Sequence, residues 1–160
     1  MIMSATGHRP NKLNNEWDME GPMSEWIRGN MELVLYLWQV KKGISGMALG
    51  WDMHFAIVCL RMGIPLTAAI PFPGQEIMWS ESNQRMYNWI LSKATEIICV
   101  CEKGYAAWKM QKRNVWMVDN SDVLLAGWDG SAGGTFNCYR YAAEEGDKEI
   151  VRINPKNFKL

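Results

Sequence analysis

Val123-Leu124-Leu125-Ala126-Gly127-Trp128-Asp129-Gly130-Ser131-Ala132-Gly133-Gly134-Thr135 passes from an unbroken apolar run into a glycine-rich polar loop. A run without polar alternation is the pattern of a central parallel strand covered on both faces. The loop offers several backbone N–H groups and two hydroxyls ahead of a helix, the physical requirement for holding a phosphate. Two upstream segments repeat the theme after short β-like runs: Thr6-Gly7-His8-Arg9-Pro10 and Ser45-Gly46-Met47-Ala48-Leu49-Gly50-Trp51-Asp52. In an open α/β sheet such loops lie along one carboxyl edge, where ligands bind.

Working outward from these loops gives an alternating series. Strands are expected at Ile2 to Ala5, Ile44 to Leu49, Leu66 to Pro71, Ile97 to Cys101, Val123 to Trp128 and, at an edge, Glu149 to Ile153. The stretch Asn11 to Gly21 is too polar and too rich in glycine and asparagine to be regular, and is expected as a loop over the pocket mouth. Helical spacing of Ile27, Met31, Val34, Leu35 and Trp38 predicts the longest helix, starting at Pro22 and stopped by Gly43. Further helices are expected from Asp52 (Phe55, Val58, Cys59, Met62), from Ser82 as cap (Tyr87, Ile90, Leu91, Ala94), and after Gly104 (Trp108, Gln111, Val115, Val118 on one side). A last one carries Phe136, Tyr139 and Ala143. The expectation is a single domain over residues 1–160: an α/β, Rossmann-like three-layer sandwich, mainly parallel, with helices on both faces and right-handed crossovers.

Composition narrows the function. With 160 residues and 48% apolar content the chain can bury a core without disulfides or metals. Seventeen basic residues balance seventeen acidic ones, so no global field draws the protein to nucleic acid or anionic lipid. Cys59, Cys99, Cys101 and Cys138 lie inside apolar stretches without CxxC spacing, which predicts buried reduced thiols in a cytoplasmic protein. No metal site and no cofactor is implied, and there is neither a signal-peptide pattern nor an apolar run of the ~18 residues a membrane span needs. Nine tryptophans and twelve methionines should fill the core and pocket walls, with some at a subunit interface.

The candidate ligand contacts follow from residue type and place. Gly7 allows close backbone approach, His8 and Pro10 flank it, and the planar fork of Arg9 suits phosphate or carboxylate. Gly46 and Gly50 frame the second loop, and Asp52 is either a helix-dipole partner or a contact to a ribose hydroxyl or base edge. In the third loop Asp129, Gly130, Ser131, Gly133, Gly134, Thr135 and Asn137 are candidates. Gln75, in the stiff turn Pro71 to Glu76, forms a pocket wall, while Asn114 and Asp119 offer an amide and a carboxylate to a nucleobase. The loops lack both GxxxxGK[ST] and a GxGxxG after the first strand, so neither a P-loop NTPase nor a dinucleotide fingerprint is supported. No Ser-His-Asp order, HExxH or close carboxylate pair stands out, so the residues argue binding more strongly than chemistry.

Several ordered strings carry a family resemblance. Thr6-Gly7-His8-Arg9-Pro10 with Asn11-Lys12-Leu13, Gly46 to Asp52, Ala69-Ile70-Pro71-Phe72, Gly74-Gln75-Glu76, Gln111-Lys112-Arg113-Asn114 with Trp116 to Asp119, and Trp128 to Ser131 followed by Gly133-Gly134-Thr135 and Asn137 resemble the YpsA-type branch of the SLOG superfamily. The superfamily is named for the Smf/DprA DNA-processing proteins and the LOG enzymes that release cytokinin bases. The resemblance implies a Rossmann-like domain and a nucleotide or nucleotide-derived ligand. Members include phosphoribohydrolases, single-strand DNA binders and sensors of cyclic ADP-ribose-type signals in antiphage defence, and small stand-alone members occur in bacteria and their phages. It thereby implies a nucleotide-binding protein, as a sensor or as a phage-encoded sponge for such a signal. Its alternative is N-glycosidic hydrolysis of a nucleoside monophosphate. LOG enzymes carry PGGxGTxxE, whose glutamate takes part in cleavage; here Cys138 stands at the glutamate's place, leaving Asp52, Glu76 or Asp119 to supply a carboxylate. Relatives often assemble, so a homodimer or larger homo-oligomer is expected, with nucleic acid ranked last among partners and no membrane.

Overall fold

The computed structural model describes residues 1–160. Strands β1 (Ile2–Gly7), β2 (Lys42–Ser45), β3 (Leu66–Ile70), β4 (Glu96–Cys99), β5 (Val123–Gly127) and β6 (Glu149–Ile153) form one six-stranded sheet in the order β4-β3-β2-β1-β5-β6. Every pairing is parallel. Between them run α1 (Pro22–Leu37), α2 (Trp51–Arg61), α3 (Glu81–Lys93), α4 (Ala107–Asp119) and α5 (Gly134–Arg140).

This order contains one reversal. The chain steps outward from β1 to β4, then returns past β1 to begin β5. With right-handed crossovers, α1, α2 and α3 cover one face and α4 and α5 the other. The packing of α1 on α2, α2 on α3, and α4 on α5 agrees. The reversal falls between β1 and β5, whose carboxyl ends are the place where such sheets take ligands.

Strand alternation decides which side chains meet which helices. Met3, Ala5, Val123 and Leu125 join Ile27, Met31, Phe55 and Val58 in the main core under α1 and α2. Leu124 turns the other way onto Val118, Cys138 and Ala142, and Ile44 and Ala69 meet Met117. Helix α2 is buried at every position from Trp51 to Cys59, because α1 and α3 flank it while the sheet lies beneath.

Local chemistry sets the helix ends. Glu16, from the irregular loop, accepts the N–H of Ser24 at 2.7 Å and of Met23 at 3.0 Å, and so caps α1. Burial alone would raise its carboxyl, but hydrogen bonds from Ser24, Asn14 and Met23 outweigh that and hold it below its ordinary value. Ser80, two residues ahead of the expected Ser82, caps α3 by accepting the N–H of Asn83 at 3.3 Å.

Three expectations are corrected here. The second strand ends at Ser45, and Gly46 to Gly50 form a buried loop in which Met47 (φ 62°) and Gly50 (φ 93°) are left-handed. Cys59 and Cys138 are buried, with thiols pushed up to about 12 by burial, but Cys99 is exposed and Cys101 half-buried because β4 is an uncovered edge strand. In α4, Arg113 and Asn114 face inward with Met117 and Val118, whereas Trp108 is 61% exposed. The apolar spacing misleads because a buried arginine and asparagine occupy positions that pattern reading gives to solvent. No helix is long and apolar enough to cross a membrane.

Candidate ligand site at the carboxyl edge of the sheet

The junction of β1 and β5 is built on a pair of glycines. Gly7 and Gly127 are register partners at the ends of β1 and β5, and the indole of Trp51 lies across both. A Cβ at Gly7 would sit 2.2 Å from Trp51 Cγ, and one at Gly127 would sit 2.3 Å from Cδ2. Trp51 Nε1 donates to the Leu125 carbonyl at 3.3 Å, and its backbone N–H to the His8 carbonyl at 3.2 Å. Gly50 completes the junction, since a Cβ there would approach the His8 carbonyl oxygen to 2.6 Å. The indole thus locks the loop after β2 beneath the loops after β1 and β5.

Those outer loops are tied to each other. His8 is buried, and its Nε2 accepts the Asp129 N–H at 3.1 Å while lying 2.9 Å from Asp129 Oδ1. Burial lowers the His8 pKa against the pull of the Asp129 carboxylate and its hydrogen bond. The Ser131 hydroxyl, assisted by burial-opposing contacts from the Ser131 N–H and His8, holds the Asp129 carboxyl well below the usual carboxylate range. Lys12 Nζ donates to Ser131 Oγ at 2.6 Å, a second bridge between the two loops. Trp128 Nε1 donates to the Ser131 carbonyl at 2.8 Å, and the Arg152 guanidinium lies 4.5 Å from the Trp128 ring.

What stays available is at the rim. Arg9 is exposed, and its guanidinium makes neither a hydrogen bond nor an ion pair, although its neighbours His8 and Lys12 both touch the β5 loop. Helix α5 starts at Gly134 with no side-chain cap, leaving its first-turn N–H groups without that source of partners. Gly133 (φ 141°) and Gly134 have open space where a Cβ would be. Thr135 is half-buried and Asn137 exposed in that same turn, and Gly130 (φ 96°) lets the loop bend back.

Beneath the rim lies a buried charged layer. Asp52 and Arg113 both press on Gly46: a Cβ there would lie 2.8 Å from Asp52 Oδ2 and 2.7 Å from Arg113 Cζ. Burial raises the Asp52 pKa against the pull of Arg113 and Arg9, and burial lowers that of Arg113. Arg113 also donates to the Gly46 carbonyl, to the Ala69 carbonyl at 3.5 Å, and through Nε to Asn114 Oδ1 at 3.0 Å. Gln75 Nε2 straps the β3 loop down by donating to the carbonyls of Gly46 (3.3 Å) and Met47 (3.4 Å) and to the Tyr87 hydroxyl (3.3 Å). Glu76 Oε2 and Gln111 Oε1 are buried acceptors without a donor.

The expected contacts therefore divide. Arg9, Gly130, Ser131, Gly133, Gly134, Thr135 and Asn137 come together at the rim, with Asp129 just below. Gly7, His8, Pro10, Gly46, Gly50 and Gln75 form the supporting floor. Asp52 and Asn114 are buried beside Arg113, Asp52 across Gly46 and Asn114 as the acceptor of Arg113 Nε. Asp119 is not brought to this edge at all: it ends α4 at the opposite, amino-terminal side of the sheet and accepts the Tyr141 hydroxyl at 2.7 Å. Sequence reasoning missed Trp51, Lys12 and Arg113. The signal for Trp51 was a glycine ending each of two neighbouring strands, which leaves room for one large ring.

Comparison with known proteins agrees with this architecture. The chain is 35% identical over 136 residues to the SPbeta prophage-derived protein YoqJ of Bacillus subtilis, covering 73% of this chain and 79% of that one. It is 30% identical over 138 residues to a UPF0398 protein of Bacillus thuringiensis, covering 80% and 74%. Among solved structures it resembles DNA processing protein A of Helicobacter pylori, described as binding single-stranded DNA (TM-score 0.65, 14% identity, 98% of this chain and 70% of that one). The same protein from Streptococcus pneumoniae matches with TM-score 0.61 and 14% identity over 94% of this chain, which spans 49% of it. A molybdenum cofactor binding protein of Rippkaea orientalis matches with TM-score 0.55 and 16% identity, over 96% and 76%. At these identities the structural matches show the fold. Residues 4–157 match the family described as the YspA SLOG family, and with that match the chain belongs to the YpsA branch of SLOG proteins.

Proposed function

We propose that this chain binds a phosphate-bearing nucleotide or nucleotide-derived small molecule at the carboxyl edge, over the β1/β5 junction. The observation that carries the reading is the unpartnered Arg9 guanidinium, held between two residues that fix its loop to the β5 loop. A guanidinium without a carboxylate, beside Lys12 and the uncapped start of α5, forms an anion site. Defence signalling, as sensor or sponge, is one setting for such binding, and the likeness to a prophage-derived protein is in keeping with it.

Binding is favoured over N-glycosidic cleavage by one observation. Cys138 is fully buried with its thiol pushed up to about 12, so it is neither an acid nor a base at neutral pH. Exposed Ile97 on edge strand β4, with exposed Tyr105 and Trp108 beyond it, supplies apolar surface for the homo-oligomer that belongs to this proposal. Calorimetric titration with AMP, ADP-ribose and cyclic dinucleotides tests the reading. Saturable binding by at least one is expected, with no free base released. Failure of all of them with folded protein refutes it.

A further inference from the structure

A hollow of about 590 Å³ lies away from the carboxyl edge, on the outer surface of α1, α2 and α3. Its size falls in the range of about 300–1,000 Å³ common for small-molecule sites. Ile57 and Leu60 of α2 form an apolar floor, and Met86 and the 50% exposed Trp89 of α3 form a wall. Arg28, Arg61 and Arg85 line the same space.

The carboxylates of Asp18 and Glu20 share this space, yet two of the three arginines are not ion-paired. Arg85 pairs with Glu81 at 3.3 Å, but neither Arg28 nor Arg61 has a carboxylate at ion-pair distance. Arg28 Nη1 donates to the Met19 carbonyl at 3.0 Å and to His54 Nδ1 at 3.1 Å, leaving Nη2 and Nε without partners. Arg61 makes no side-chain hydrogen bond, and its charge acts on Arg28 against the opposing pull of Glu25, Glu20 and Glu16. The nearby Glu16 carboxylate is committed to Asn14, Met23 and Ser24. Asp18 and Glu20 stand at the rim, where Asp18 Oδ1 accepts the Glu20 N–H at 3.1 Å. Two guanidiniums held near each other over an apolar floor constitute an unfilled demand for an anion.

We propose that this hollow is a second binding site, for a small organic oxyanion with a flat apolar body. Arg28 and Arg61 hold its phosphate or carboxylate, and its ring lies against Trp89 and Met86. The site is independent of Arg9 and of the edge ligand.

Calorimetric titration with phenyl phosphate, benzoate and the neutral benzyl alcohol tests it. At least one anion is expected to bind saturably at one per chain and at least tenfold more tightly than the alcohol. Which anion binds better assigns the phosphate or the carboxylate source. Arg61→Gln and Trp89→Ala, both at exposed positions, are each expected to weaken that binding at least tenfold, while Arg9→Gln leaves it unchanged. No saturable binding at millimolar concentration, equal binding by Arg61→Gln, or loss in Arg9→Gln instead, overturns the proposal. Loss in Arg9→Gln would place the anion at the edge site instead, while the other outcomes leave nucleotide binding at the edge untouched.

Discussion

The ring of Trp51 rests on the bare Cα of Gly127, 2.3 Å from where a Cβ would stand, and this contact seats one loop of the site beneath two others. Gly127→Ala forces either the indole or β5 to move. Overpacking of a rigid, fully buried ring against backbone costs about 3 kcal/mol or more. Urea denaturation should show that loss for Gly127→Ala and for Gly7→Ala, whereas Gly134→Ala, with open space around it, should fall within about 0.5 kcal/mol of the parent. Equal stability of all three would contradict the wedge.

The Arg9 side chain is exposed and makes no hydrogen bond or ion pair within the protein, so its replacement separates ligand binding from folding. Arg9→Gln should leave the denaturation midpoint unchanged and weaken a phosphate-bearing ligand at least tenfold, the ~1.5–3 kcal/mol of a charged hydrogen bond. A drop in stability without a drop in affinity would assign Arg9 to the fold.

The buried layer predicts a non-additive pair. Arg113→Met removes the buried donors to the Gly46 and Ala69 carbonyls and to Asn114 and leaves the nearby Asp52 carboxylate without its opposing charge, a loss of about 2 kcal/mol or more. Adding Asp52→Asn removes the stranded charge and should restore part of that loss, so a double-mutant cycle gives a coupling above about 1 kcal/mol. Strict additivity would show that the two do not interact.

Stability should fall in mild acid. His54 is 2% exposed, and burial, followed by the Arg28 charge, lowers its pKa to about 3. A histidine depressed on folding contributes stability that is complete above its unfolded value near 6.5 and is lost as pH falls through the folded value. Between pH 7.5 and 5.0 this amounts to about 2 kcal/mol at ~1.4 kcal/mol per pH unit below the unfolded pKa, and the lowered pKa of His8 acts in the same direction. Denaturation midpoints at the two pH values should show the drop, and His54→Gln, which keeps an acceptor for Arg28, should reduce it. A flat profile in the parent protein would refute the account.

Sequence by itself determined the architecture. Apolar runs broken by glycine loops, with helical spacing between them, require alternating strands and helices, and only a parallel sheet with helices on both faces buries such strands. It also marked the loops that meet at the edge, because strand-to-helix connections in a parallel sheet share one side. Tertiary structure alone decided which polar residues of those loops face outward. Asp52 and Asn114 read as ligand contacts in a linear reading, and the fold buries both beside Arg113, a residue whose inward turn the apolar spacing of α4 did not mark. Asp119 looks like their companion, yet the length of α4 carries it to the far side of the sheet. Spacing along a chain records local periodicity, whereas the depth of a side chain depends on where strands from distant segments stop, and that is set only when the sheet assembles.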